Sequence, residues 1–578
     1  MQNKDLIKFL LSYVKKYSKS LIISLVLALL YVSLTLLFPY VIGKAIDLYE
    51  IKETFKIEDI YKFIYILLAI CTLGFIFGFL MNYLLNRITY NIVCNLRRDA
   101  FKKVLNVEVK YIDSHLEGET MQRIINDTDQ VADGLLQGFT QILTGIFTIL
   151  ITIVLMCIMN YLLALVVIVL TPLSIFVAKF ISTHTFKTFQ AQAKIKGEMT
   201  GFTNEMIVNQ KLVISYSLEN DNINKYMELD QKLYKAGVDA QFYSSLTNPS
   251  TRFVNNIVYA LVAILGCIFI IKGFNEATFG VGQLTVFLTY ASQYTKPFNE
   301  ISSVSTELTN SFASLKRVYE LINEKELEVL ETTHLKSEGN ISLSHVTFGY
   351  NESRNILDDV SVDIKNGEHV ALVGPTGCGK TTLINLVMRF YDINRGVISL
   401  DNKDIKLISR EDLRNNIGMV LQETWLFKGS VFDNVAYAKE GATKEEVVEA
   451  CKKAYADDFI MHLEKGYETI ISDDDSISLG QKQLLCIARL MLKNPNILIL
   501  DEATSNIDTR TEIMVQKAFL NLMKGRTSII IAHRLQTIKD ADKILVLKDG
   551  HIIESGNHTD LLNKSGFYKD LYYSQFDN

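Results

Sequence analysis

Two rhythms of apolar residues divide this chain. In roughly the first half, apolar positions run unbroken for long enough to cross a bilayer of about 30 Å. These runs cover residues 21–41, 60–85, 135–159, 162–182 and 248–271. A sixth stretch, 279–298, is interrupted by Gln283, Thr285, Thr289, Ser292, Gln293 and Thr295, and is expected to span by pairing with the fifth. Long polar segments of helical periodicity join the second stretch to the third and the fourth to the fifth; the other connections are short. Past residue 301 the rhythm changes. Residues 311–323 (SFASLKRVYELIN) form an amphipathic helix and 324–339 a charged linker. From Asn340 onward, strand and helix patterns alternate with no further run of membrane length, as in an α/β domain. The prediction is an all-α membrane domain of six helices with long polar extensions over residues 1–310, a linker over 311–339 and an α/β domain over 340–578.

Composition sharpens this picture in three ways. A hydrophobic content of 49% is high for a soluble enzyme, and the excess sits in the first half. The first apolar run follows a lysine-rich amino end without a small-residue cleavage site, so it is expected to be retained as a span. Basic residues gather at that end, over residues 87–123 and over 179–252, while the loops at 47–59, 159–162 and 272–278 carry few. The positive-inside rule then puts both termini and the second domain in the cytoplasm. A net charge of −5 without a basic face argues against nucleic acid as a partner. The seven cysteines form no CxxC pair and read as reduced thiols.

Ionisable residues are scarce within the apolar runs, and Arg87 and Lys179 lie near their cytoplasmic ends. An ion-driven carrier would normally show carboxylates within its spans, so the energy is expected to come from elsewhere. Asn82, Gln137, Gln141, Asn255, Asn256, Gln283 and Gln293 have two readings, as the lining of a cavity or as hydrogen bonds between helices.

The energy source is written at Gly374-Pro375-Thr376-Gly377-Cys378-Gly379-Lys380-Thr381-Thr382, which fits the phosphate-loop pattern G-x-x-x-x-G-K-[ST]. An apolar strand pattern precedes it and helical spacing follows, so its backbone N–H groups would face phosphates at a helix N-terminus. Lys380 adds a point charge, and the Thr381 hydroxyl can hold Mg²⁺. About a hundred residues on, the apolar strand 497–500 ends in Asp501-Glu502, a carboxylate for the Mg²⁺ shell beside one that can deprotonate water. A third apolar strand, 527–532, ends in His533, at the edge where ligands bind parallel sheets.

These segments, with Ile477-Ser478-Leu479-Gly480-Gln481, Ser505–Asp508 and Ala532-His533-Arg534, stand in the order of an ATP-binding cassette, a P-loop NTPase domain with a helical subdomain. With six preceding spans, the whole chain resembles a half-transporter of the ABC exporter type, and most closely the bacterial multidrug and lipid exporters, some of them heterodimers. The resemblance implies that Tyr350 stacks on adenine, Gln422 senses Mg²⁺ and the attacking water, Glu502 is the general base, His533 contacts the γ-phosphate and Asp508 signals across the dimer. Ser478, Gly480 and Gln481 would complete the ATP site of a second half-transporter. Segments near residues 111–128 and 214–226 would hold two coupling helices. Two departures stand out. The signature is usually LSGGQ, and the glycine-containing segment before it is replaced by Asp473-Asp474-Asp475-Ser476. An intact Glu502 beside an off-pattern signature suits the competent half of a heterodimer, with a homodimer left open.

The implied function is ATP-driven export of hydrophobic or amphipathic compounds, drug or lipid, through a bacterial cytoplasmic membrane by alternating access. The alternative is a membrane receptor or channel that the same cassette gates without pumping.

Overall fold

The computed structural model describes residues 3–51, 57–115, 117–272, 280–327, 330–351, 354–420, 424–471, 477–501, 508–531 and 538–576. They fall into two compact units, Met1–Asn106 with His115–Glu324, and Val107–Ser114 with Lys325–Asn578.

The first unit is helical. The chain runs through α1 (Asn3–Val14), α2 (Ser18–Ile51) and α3 (Ile57–Asn106) to α4 (Val109–Ser114), which belongs to the second unit. It returns through α5 (Glu117–Ile124), α6 (Asn126–Met159), α7 (Tyr161–Val208), α8 (Gln210–Ser215), α9 (Glu219–Ile271) and α10 (Val281–Ile322). Short helices therefore sit at Val109–Ser114 and Gln210–Ser215, each beginning a few residues before the segments expected for coupling helices.

Four helical stretches are long and apolar enough to cross a membrane: Lys4–Leu48, Ile60–Asn106, Gly118–Met159 and Glu219–Ile271. Tyr161–Leu173 is a shorter apolar stretch at the start of α7, and α10, with its polar interruptions, does not pass the same test among the described residues. Ile158, Phe176 and Ile271 are each exposed by 70% or more. In water a surface of this kind would drive association; against acyl chains it carries no such penalty.

The sixth helix meets the fifth as expected, with Leu284 of α10 against Gly266 of α9, but the fifth is not its main neighbour. α9 packs chiefly along α7, whereas α10 lies along α6 and α2 and meets α9 less extensively. The reason is close approach. A Cβ on Gly282 would fall 2.2 Å from the Gly43 carbonyl oxygen, so α10 touches α2 backbone to backbone there. The Gly282 N–H donates to Asp47 Oδ1 at 2.8 Å, and Tyr290, 1% exposed, donates its hydroxyl to Leu36 O at 2.8 Å. Lower on the same helix, Arg317 grips Asp127 of α6 through two bonds, Nε to Oδ2 at 2.7 Å and Nη2 to Oδ1 at 2.5 Å.

The Asp127 side chain is 4% exposed, so losing Arg317 leaves a buried carboxylate without its cation. Arg317→Met is expected to cost about 1–3 kcal/mol and lower the unfolding midpoint in detergent. Adding Asp127→Leu should recover part of that loss, because removing both charges also removes the unpaired one. Equal midpoints for the single and double variants would refute this account.

The second unit is α/β. Its elements are β1 (Ile341–Phe348), β2 (Leu357–Ile364), β3 (His369–Val373), α11 (Lys380–Val387), β4 (Arg395–Leu400), β5 (Lys403–Asp404), α12 (Arg410–Asn416) and β6 (Ile417–Val420). Next come β7 (Gly429–Ser430), α13 (Val431–Ala436), α14 (Lys444–Lys453), α15 (Asp457–Met461), β8 (Ile470–Ile471) and α16 (Leu479–Lys493). The last are β9 (Ile497–Asp501), α17 (Thr509–Met523), β10 (Thr527–Ile531), β11 (Lys543–Lys548), β12 (His551–Gly556) and two short helices, His558–Asn563 and Phe567–Phe576.

The main sheet has the order β12-β11-β3-β10-β9-β6, parallel except for β12. Both faces are buried, which explains strands that read as unbroken apolar runs. Leu498 and Leu500 join the core beneath α16 and α17, while Ile497 and Ile499 join the core on the α11 side, beneath the antiparallel sheet β2-β1-β4-β5. Period-two alternation divides β3 in the same way, with Ala371 and Val373 on one side and Val370 and Leu372 on the other.

Candidate functional site

The phosphate-loop sequence links the carboxyl end of β3 to α11, with β3 set between β10 and β11 at the middle of the sheet. Two of its glycines are required by geometry. Gly374 has φ +155°, and a Cβ there would lie 2.2 Å from Leu547 O; Gly379 has φ +106°, and a Cβ there would lie 2.7 Å from Leu357 Cδ2. Both conformations are open to glycine and strained for other residues. Gly379 caps α11, whose amino end therefore opens directly onto the loop. Lys380 folds back across it, donating from Nζ to Gly374 O at 2.7 Å and to Pro375 O at 2.9 Å. Pro375, Thr376, Gly377 and Thr381 are exposed. Cys378 is not: the residue is 4% exposed, and its side chain belongs to the core beneath the loop. Thr382 is buried, and its Oγ1 lies 3.3 Å from the Tyr350 hydroxyl.

Tyr350 stands beside this first turn of α11. Its ring meets Phe348 and Tyr391 edge-on, with centroids 5.1 and 5.0 Å apart, and is 36% exposed. Tyr391 in turn donates its hydroxyl to Asp113 of α4, and Lys325 pairs with Glu108 at 3.0 Å, so α4 is fastened within the cassette unit.

β6, β9 and β10 run parallel, with Val420 opposite Leu500 and Asp501 opposite Ile531. Their carboxyl ends therefore open on the same edge as the loop. Asp501 is the last residue of β9 and is 9% exposed. Gln422, Glu502 and His533, which follow these strand ends in sequence, lie outside the described residues, as does the Asp473–Asp475 run.

Ser478 opens α16 with a reciprocal cap: its Oγ accepts from Gln481 N at 3.3 Å, and its own N–H donates to Gln481 Oε1 at 2.9 Å. Gly480 is buried and Leu479 is 43% exposed. Arg489, which sequence reasoning overlooked, ties this helix to the chain just beyond Gln422 by donating to Trp425 O at 2.7 Å and Asn434 O at 2.6 Å. Its signal was an arginine at i+8 from Gln481, on the face that turns inward. Asp508 caps α17 through Thr511 N at 3.0 Å, and that N–H holds its carboxyl below the usual carboxylate range.

The first unit contains a cavity of about 590 Å³ between α2, α3, α6 and α10. Tyr31, Phe75 and Phe79 contribute aromatic wall, and Asn82, Gln141 and Gln293 contribute polar groups. Three of the seven polar residues with two readings thus line one cavity; Gln137, Asn255, Asn256 and Gln283 do not. Lys296 also lines it. A lysine inside the sixth stretch, just before Pro297, was the available signal.

Comparison with known proteins accounts for both units. Residues 21–298 match the family described as ABC transporter transmembrane region, and residues 357–505 match the family described as ABC transporter. An uncharacterized ABC transporter ATP-binding protein of Bacillus subtilis (strain 168), YfiC, is 36% identical over 99% of this chain and 95% of its own length. A fatty acid ABC transporter ATP-binding/permease protein of Mycobacterium bovis is 38% identical over 82% of this chain and 75% of its own. The solved structure of a bacterial Atm1-family ABC exporter with ATP bound has a TM-score of 0.81 and 27% identity, covering 97% of this chain and 98% of that one. A helical membrane unit and an ATP-binding cassette joined in one chain, and matched over nearly its full length, make this protein a member of the ABC exporter family, an ATPase coupled to transport across a membrane.

Proposed function

We propose that this chain pairs with a second half-transporter, a copy of itself or a different chain, and expels hydrophobic or amphipathic compounds through a bacterial cytoplasmic membrane, with both termini and the cassette on the cytoplasmic side. The observation that carries the substrate reading is the 590 Å³ cavity, whose aromatic wall stands beside threonine, amide and lysine side chains and so suits a molecule with both characters. The fatty acid transporter among the relatives supports it.

In the proposed site the loop amides and Lys380 bind the phosphates, and Tyr350 presents its ring to adenine. Glu502 accepts the proton of the attacking water, Gln422 orients that water, and His533 faces the γ-phosphate. Thr381 and Asp501 offer the hard oxygen ligands that Mg²⁺ prefers. The Thr381 hydroxyl is exposed and makes no hydrogen bond among the described residues, and Gln422 would complete the set. Bound there, Mg²⁺ would neutralise phosphate charge. Ser478, Gly480 and Gln481 of one chain would close over nucleotide held by the other. Catalysis then rests on positioning and charge rather than covalent chemistry. ATP would join the two cassettes, and hydrolysis would release them to swing the helices.

The test is transport in inside-out proteoliposomes containing the purified complex. ATP should drive uptake of a fluorescent amphiphile, and a non-hydrolysable analogue should not. A flux that continues without hydrolysis would instead favour a nucleotide-gated channel.

A further inference from the structure

Lys296 is an expensive residue in its position. It lies within the sixth stretch, roughly 22 Å along α10 from Val281 at about 1.5 Å per residue. An ammonium at such a depth is destabilising unless it faces water or a counter-charge, and residues of this kind commonly mark a ligand pathway. It is exposed, and among the described residues it forms no ion pair or hydrogen bond. Among the described residues no aspartate or glutamate lines the cavity. Among the described residues the cavity is therefore electrostatically one-sided, with one cation, three amides, four threonine hydroxyls and an aromatic wall. Pro297, next in the chain, packs 3.5 Å from where a Gly145 Cβ would stand, so the turn carrying Lys296 is seated against α6.

We propose that Lys296 selects the substrate: the cavity takes amphiphiles with an apolar chain and one anionic head, a carboxylate or a phosphate, and the ammonium binds the head while Tyr31, Phe75 and Phe79 receive the chain. This rests on the export reading above and narrows it. Asn82, Gln141 and Gln293 can donate further hydrogen bonds to the oxyanion. A cationic amphiphile would meet like charge with no carboxylate among the described lining residues to offset it.

The experiment uses the full-length complex in phosphatidylcholine proteoliposomes, with ATP-driven uptake and half-saturating concentration as the readouts. Four probes share one alkyl chain: a carboxylate, a phosphate monoester, the methyl ester of the carboxylate and a quaternary ammonium. Wild-type protein should take up the anions at concentrations tenfold or more below the ester, and the ammonium least well. Lys296→Gln should raise half-saturation for the anions by about tenfold or more and leave the ester within about twofold. Lys296→Arg, which keeps the charge, should retain most of the anion preference and guards against a folding defect in the glutamine variant. Which anion saturates first assigns the head group. Equal half-saturation of the anions in wild type and Lys296→Gln, or preferred uptake of the ester or ammonium, would overturn the assignment of Lys296 while leaving export intact. ATP-driven uptake of none of the four would instead overturn the export reading, and this inference with it.

Discussion

Lys380→Ala is expected to lower ATP hydrolysis by about 10²-fold or more and to weaken nucleotide binding with it. The loop backbone alone can hold phosphate, but its amides are partial charges, and the ammonium is the full positive charge that the side chains of this loop contribute. Removing one preorganised donor of this kind typically costs about 10²–10³ in rate. The fold should be nearly unaffected. Nζ is bound to Gly374 O and Pro375 O at the surface of the loop, where water can replace it. The strain of the turn is carried by Gly374 and Gly379, which the substitution leaves alone. Three measurements on the purified complex decide the matter: hydrolysis rate, nucleotide affinity by fluorescence titration, and unfolding midpoint. Activity within threefold of wild type at an unchanged midpoint would place the ammonium away from the phosphates.

Glu502→Gln should separate binding from chemistry in a way that Lys380→Ala cannot. The amide keeps the shape of the side chain and loses the ability to accept a proton, so hydrolysis should fall by about 10²–10⁴. Nucleotide affinity should stay within about threefold. If ATP joins two cassettes and hydrolysis parts them, this variant should also accumulate as an ATP-bound dimer of cassettes, visible as a crosslink between cysteines placed on facing loops. A variant that hydrolyses ATP at the wild-type rate would remove Glu502 from the role of base, and the same rate with weakened binding would point to a positional effect.

The two variants rest on different footings. Lys380 is held in a loop whose geometry is on view, with its glycines, its backbone angles and its contacts. Glu502 follows Asp501 in sequence, and Asp501 closes a strand flanked by β6 and β10. Sheet order brings three strand ends to the edge that also carries the phosphate loop, and this explains why motifs spread across more than a hundred residues of chain can serve one reaction.

What the amino-acid sequence determined by itself is local. Residues 374–382 are legible because a phosphate loop acts through successive backbone amides of one short segment, and its glycines, lysine and hydroxyl must occur at fixed spacing. The Ser478–Gln481 cap is legible for the same reason, as a reciprocal pair three residues apart. Apolar runs marked where helices meet lipid, but α3 continues to Asn106, far beyond the run that ends at residue 85, because helical backbone extends past the part that lipid touches. Tertiary structure alone decided the rest. It placed α10 chiefly along α6 and α2 and less along α9, turned Cys378 into the core, fastened α4 to a cassette more than two hundred residues further along the chain, and set Lys296 in a cavity with Asn82, Gln141 and Gln293. Each of these is a meeting of residues distant in the chain. A periodic pattern tells which face of an element is buried, and close packing between side chains chooses what is buried against it.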